Sequence, residues 1–211
     1  VYNRACYRLK ISNPNIIKII MKSNLLKSFR LTLVFCVFFS VFYILVLWLF
    51  AKVAGPNGGN AEVAVLDGKV VGGANVGQNF TKDIYFWGRP SCAGDGYDAT
   101  SSAGSNKATT NPEYLKEVES RIDTFLVKHP YLKREEVPAD IVTASASGLD
   151  PDISVTSAYV QVKRVAKARG MSEEAVKAIV EKVKQGPLLG MFGPSKVNVL
   201  KLNMALDEKA D

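Results

Sequence analysis

Polarity disappears from the chain at residue 31. The run LTLVFCVFFSVFYILVLWLFA, residues 31–51, carries no charge, and its plainly polar side chains are Thr32 and Ser40. At 1.5 Å rise per residue the run makes a helix about 31 Å long, close to the thickness of a hydrocarbon core at about 30 Å. Apolar positions surround it on every side, whereas a soluble helix keeps a polar face. Thr32 and Ser40 can bond back to helix carbonyls, and Trp48 lies near one end, where an interfacial ring is favoured. The pattern predicts one transmembrane helix. A cleavable signal has a shorter apolar stretch, about 7–15 residues. The following AKVAG also puts Lys52 or Leu49 where a cut site needs a small residue. The segment reads as an uncleaved anchor.

Beyond it the pattern breaks into short elements. GPNGGN (55–60) is a loop, and residues 61–77 alternate around Asp67-Gly68, a hairpin signal. Residues 88–112 are rich in Gly, Ser, Asn and Thr and read as a long loop, pinned to the core by Tyr85, Phe86 and Trp87. Residues 111–130 read as a helix capped by Asn111, with Leu115, Val118, Ile122 and Leu126 as its stripe. ADIVTAS (139–145) reads as a short buried strand. Residues 154–170 form a second helix between Ser154 and Gly170, with Val155, Ala158, Val162, Val165 and Ala166 inward and Gln161, Lys163, Arg164 and Lys167 outward. A third helix covers 172–186, and 197–207 is a strand or a short final helix. The expected fold is α+β: a single N-terminal transmembrane helix, then one mixed extracytoplasmic domain over residues 56–211.

The charge follows this division. Net charge is +7, but residues 1–30 hold seven Lys/Arg and no acid, while residues 53–211 hold 19 Lys+Arg and 20 acids. The basic balance is therefore an orientation signal and not a nucleic-acid footprint. It places the arm 1–30 in the cytoplasm and the domain outside, in the periplasm of a bacterium. Met21 opens MKSNLLKSFR directly before the span. Translation is expected to start there, with residues 1–20 an upstream extension; a genuine cytoplasmic tail is the alternative. Three cysteines, Cys6, Cys36 and Cys92, make no disulfide framework.

Most catalytic chemistry lacks its residues. His129 is the one histidine, and its place between Lys128 and Pro130 reads as a solvent-facing cation at a helix end. One histidine and one extracytoplasmic cysteine cannot build a zinc site. GGANVGQ (72–78) has no phosphate-binding lysine. Asp95, Asp98, Asp150 and Asp152 sit among Gly, Ser and Pro, where aspartates cap turn amides. A serine hydrolase built on Ser145 or Ser147 remains an alternative, although VTASASG lacks the nucleophile elbow. A solute-binding domain is another.

Six blocks in order carry a resemblance: VGQNF (76–80), YFWGRPS (85–91), GYDATSSAGSNKATTNP (96–112), VTASASGLDPDIS (142–154), QVKRVAKARG (161–170) and VNVLKLNMALD (197–207). Together, after an N-terminal span, they resemble the KdpC family of potassium-transporting Kdp ATPase subunits. Cys92 and KHPYLKREE (128–136) are local variation. The resemblance implies a non-catalytic subunit of an inner-membrane complex, potassium-importing and ATP-driven. The implied partners are a channel-like potassium-binding subunit, a P-type ATPase subunit and a small single-span subunit, besides membrane lipid. It also implies an assembly factor and catalytic chaperone that raises the pump subunit's ATP affinity, with Gln161 matching a glutamine assigned to the nucleotide. That assignment conflicts with topology, because an extracytoplasmic Gln161 and cytoplasmic ATP lie across a bilayer. The expectation is no stably bound cofactor, with ATP acting only through the complex. Asp95, Asp98, Asp150 and Asp152 are the candidates for partner contacts or a local cation-attracting field.

Overall fold

The computed structural model describes residues 14–208. Arg4, Cys6, Arg8 and Lys10 lie outside the described residues. The chain divides into two compact units, residues 1–61 and 62–211.

The first unit is helical. Helix α1 (Pro14–Val37) passes through a π-helical stretch, Phe38–Tyr43, into α2 (Ile44–Ala54). The helix from Met21 to Ala54 is long and apolar enough to cross a membrane; its most apolar 18-residue window has a mean hydropathy of 2.8 and no buried part. The predicted span lies inside it. The wider π-helical turns occur in FFSVFY, where the Phe38 and Phe42 rings sit 5.2 Å apart. The helix stops at Gly55, where a Cβ would come within 2.4 Å of the Ala51 carbonyl oxygen. Only glycine makes this exit.

The second unit opens with a hairpin, β1 (Val63–Leu66) and β2 (Lys69–Gly73), antiparallel with a register shift at Ala64/Val65. Asp67 and Gly68 hold φ of 50° and 74°, the two left-handed positions of a type I′ turn. Helix α3 (Pro112–Lys128) starts where Asn111 accepts from the amides of Glu113 and Tyr114. Strand β3 (Asp152–Ser154) runs straight into α4 (Val155–Arg169), and β4 (Lys196–Asn198) into α6 (Val199–Asp207). Helix α5 (Glu173–Val183) lies between them in sequence. β3 and β4 pair antiparallel, Ile153 opposite Val197. Two-stranded ribbons are marginal alone, so the core is helical. It packs Val162 and Val165 of α4, Val176, Ile179 and Val180 of α5, and Leu202 and Leu206 of α6 around Ile153 and Val197. The fold is α+β.

Several local expectations change. Residues 139–145 are not a strand: Ala139–Ile141 is a 3₁₀ turn. The Asp140 carboxylate decides this. It accepts from Ser154 N (2.8 Å), Ser154 Oγ (3.1 Å) and Ser157 Oγ (2.6 Å), binding the turn to the N-terminus of α4, where a negative charge is favoured. The inward stripe of α3 is Val118, Ile122 and Phe125, continued by His129 just past its end, with Leu115 exposed. The tail 197–207 is both a strand and a helix. Helix α5 ends at Val183, because Gln185 turns away to bridge Lys196. The loop 88–112 has no regular element before α3 begins, as expected.

Asp140→Ala removes a cap and leaves Ser154 and Ser157 short of an acceptor. A loss of about 2 kcal/mol is expected, read as a fall of several degrees in the thermal midpoint of the detergent-solubilised chain. Asp140→Asn should recover part of it.

Candidate functional site

Residues 83–87 run through the middle of the domain outside any strand. Their carbonyls are all bonded nonetheless, each to a side chain. Arg164 Nη1 donates to Asp83 O (2.5 Å) and Tyr85 O (3.1 Å), and Arg169 Nε to Ile84 O (2.7 Å). Asn203 Nδ2 donates to Phe86 O (3.0 Å), and Gln161 Nε2 to Trp87 O (3.2 Å). The two carboxamides also accept, Asn203 Oδ1 from Phe86 N and Gln161 Oε1 from Trp87 N, both at 2.8 Å. Each works as one rung of a β-ladder, supplied by a helix (α6 and α4).

Gln161 is fully buried and saturated. Its Nε2 also donates to Ser157 O at 3.0 Å, and its Oε1 accepts from Arg164 Nη2 at 2.8 Å. Arg164 is 6% exposed and pairs with no carboxylate among the described residues. Its compensation is carbonyls, the Gln161 oxygen, the Trp87 ring 4.0 Å away, and His129. Burial pushes its guanidinium down to about 10, still charged at neutral pH. His129 Nδ1 donates to Phe125 O (2.8 Å), so Nε2 is the acceptor for Arg164 Nε at 3.0 Å. The ring stacks on Phe125 at 3.9 Å and is fully buried. Burial, aided by Arg164, holds its pKa down at about 4. The solvent-facing cation expected from sequence is thus a buried neutral acceptor. Outside this network lies a cleft of about 570 Å³, lined by Lys128, Tyr131, Lys163, Arg164 and Lys167 with Asp83.

A second set joins the end of the same segment to residues 143–152. Arg89 Nη1 pairs with Asp150 Oδ2 at 2.9 Å, and its Nη2 reaches the carbonyls of Thr143 and Ala144. Ser91 Oγ donates to Gly148 O (2.6 Å) and accepts from the amides of Ala93 and Tyr97. Tyr97 OH donates to Arg89 O at 2.5 Å; burial, with Asp150 nearby, pushes the phenol up to about 12. Gly148, at φ 68°, leaves 2.6–2.8 Å between a would-be Cβ and Ala103 O, Ala93 N and Ala93 Cβ, so no larger residue fits.

A family model described as the c chain of the K+-transporting ATPase, KdpC, matches residues 25–208. The chain belongs to the KdpC family. It is 76% identical over 185 residues to a potassium-transporting ATPase KdpC subunit of Bacteroides fragilis, covering 88% of this chain and 97% of that protein. The KdpC subunit of Flavobacterium psychrophilum is 52% identical over 185 residues, covering 88% of this chain and 98% of that protein. That of Caldanaerobacter subterraneus is 47% identical over 189 residues, covering 90% and 97%.

The blocks that carry the KdpC resemblance are the blocks this network joins: FWG to Gln161, Arg164 and Asn203, and RPS to SGLDP. Gln161 and Arg164 are not on the outer face of α4, as their polarity had implied. Gln161 lies three residues after Ala158 and four before Val165, which puts it in the apolar stripe. That spacing was the readable signal. The four aspartates do not form one site. Asp98 accepts from Thr100 N and Oγ1, which holds its carboxyl below the usual range. Asp150 takes Arg89 and the Asp152 amide, Asp152 pairs with Lys196 at 2.6 Å, and Asp95 is exposed. Among the described residues no cluster of three His, Cys, Asp or Glu could hold a metal. Ser145 and Ser147 cap the amides of Gly148 and Leu149, and both nitrogens of His129 are engaged elsewhere.

The histidine predicts an acid limit. A folded pKa of about 4 against about 6.5 unfolded means that the unfolded chain binds the extra proton. The contribution is fully present above pH about 6.5 and lost as pH falls toward 4, by roughly 3 kcal/mol at most. Urea midpoints measured across that window should fall, and His129→Gln should flatten the slope. Gln161→Leu, which keeps volume but strands the Trp87 amide and carbonyl, should cost about 3 kcal/mol, seen as a lower urea midpoint at constant pH.

Proposed function

We propose that this KdpC-family chain is a non-catalytic subunit that assembles and braces a potassium-transporting ATPase. In this reading the helix anchors it in the cell inner membrane, the basic arm keeps its N-terminus in the cytoplasm, and the domain stands on the periplasmic side. The partners are a channel-like potassium-binding subunit, a P-type ATPase subunit and a small single-span subunit. One observation carries the non-catalytic part: Gln161, Arg164, His129, Ser145 and Ser147 direct their hydrogen-bonding groups at this chain's own backbone and side chains. An active site instead keeps reactive groups turned toward a substrate.

Gln161 in this reading is a structural clamp. The domain and cytoplasmic ATP are on opposite sides of the bilayer, so an effect on the pump subunit's ATP affinity passes through the assembled complex as a coupling between sites. Gln161→Leu would then lower ATP affinity only so far as it loosens the domain, in step with its loss of stability.

Affinity purification of the tagged chain in mild detergent should bring down the channel-like and P-type subunits together. Removing the chain should abolish growth under potassium scarcity and spare growth in replete medium. Normal potassium uptake by a complex lacking this chain would overturn the proposal.

A further inference from the structure

Between α5 and β4 the chain makes a narrow hairpin that stands apart from the domain's core. Its base is the pair Gln185 and Lys196, with N···O distances of 2.8 and 2.9 Å, and its outer rung is Leu188 and Phe192, both bonds 2.9 Å. The turn beyond that rung is Leu189-Gly190-Met191. Leu188, Leu189, Met191 and Phe192 are 71%, 80%, 74% and 59% exposed. Among the described residues of the domain, no other stretch puts four large apolar side chains so far into solvent within five positions. Such a patch needs a partner phase.

Two further observations concern the same tip. Leu189 sits at φ 53°, a left-handed conformation that glycine or asparagine would adopt more cheaply. The strain is spent on aiming a leucine outward into solvent, so the return lies outside the domain. The charge within this stretch of chain is also one-sided. From Lys182 to Leu206 there are four lysines, Lys182, Lys184, Lys196 and Lys201, and no carboxylate. Lys184 and Lys196 pair with Glu181 and Asp152, which lie on the flanking elements, and Lys201 with Glu62. Surface pairs of this kind are weak and exchange readily for another anion.

We propose that the 186–193 hairpin tip inserts into the interfacial layer of an anionic bilayer, with the lysines at its base facing lipid phosphates. Shape favours lipid over a protein socket. The tip ends in four exposed apolar side chains, and a fluid acyl boundary accommodates such a form without a matching cavity. Charge agrees, because an apolar tip above lysines held only by surface ion pairs is the pattern of interfacial segments. The chain also carries its own membrane-crossing helix, joined in sequence to the domain through residues 55–62, which keeps a bilayer at high effective concentration.

The test uses the full chain with its native cysteines replaced by serine and a fluorescent label on Leu189→Cys or Phe192→Cys. A label on Lys177→Cys, on the exposed side of α5, is the reference. The chain is reconstituted in vesicles of phosphatidylethanolamine and phosphatidylglycerol. Labels at 189 and 192 should be quenched several-fold more by spin-labelled lipid than the label at 177, and protected from aqueous iodide. Omitting phosphatidylglycerol should weaken this, and adding Leu188→Asp should abolish it for the label at 189. Iodide access equal to that at 177 overturns the proposal. So does protection that appears only when the other subunits are co-reconstituted, which identifies a protein socket, or protection that rises with chain density, which identifies a second copy. Tryptophan fluorescence in a Trp48→Phe background, which leaves Trp87 alone, reports the fold of each variant. Should Leu188→Asp disturb it, Leu188→Gly carries the same reading without a new charge. None of these outcomes depends on the assembly role, which is read by co-purification.

Discussion

The domain depends on one unusual obligation, that the segment at its centre has no strand to pair with. Five consecutive carbonyls, from Asp83 to Trp87, lie on buried or half-buried residues and must be bonded. A larger sheet would meet the need with a neighbouring backbone. Here two ribbons of two strands are the whole sheet content among the described residues, and helices supply the missing ladder through long side chains. This explains why polar residues occupy the inner faces of α4 and α6. Asn203 and Gln161 are carboxamides because each must donate and accept at once, as a peptide group does. No apolar side chain or carboxylate of the same size can do both.

The obligation also accounts for the buried cation. Arg164 reaches two carbonyls, one carboxamide and one imidazole, a set that takes four of the five donors of a guanidinium. A carboxylate partner would consume the fork and leave the carbonyls bare. The cost of the buried charge is spread over dipoles and the Trp87 face. His129 is drawn in as the last acceptor and is held neutral by that duty. Charge at this centre is therefore fixed, and acid is the one condition that sets it against itself.

The sequence announced elements better than it announced contacts. The membrane-crossing helix, the Asp67-Gly68 turn and the caps Asn111 and Ser154 were legible because each depends on neighbours within a few residues. The strand expected at 139–145 failed because Asp140 answers to Ser154 and Ser157, more than a dozen residues away. Gln161, Arg164 and His129 were misplaced by the ordinary rule that polar means exposed. Their apolar neighbours at helical spacing were visible, but the carbonyls that justify their burial belong to residues 83–87. No periodicity in α4 reveals what lies opposite it. The family resemblance, in contrast, picked out the right blocks without saying why they belong together; the hydrogen bonds between FWGRPS, SGLDP and QVKRVAKAR supply that reason.

The clamp on Phe86 has a bearing on timing. Its amide and carbonyl are closed by Asn203, 117 residues further along. A ribosome makes the chain from the N-terminus, so the central segment waits unpaired until almost the whole domain exists. Contacts of such long range form late and slowly. The domain therefore cannot lock into its final shape until almost all of its chain is available, and until then it is a loose polymer.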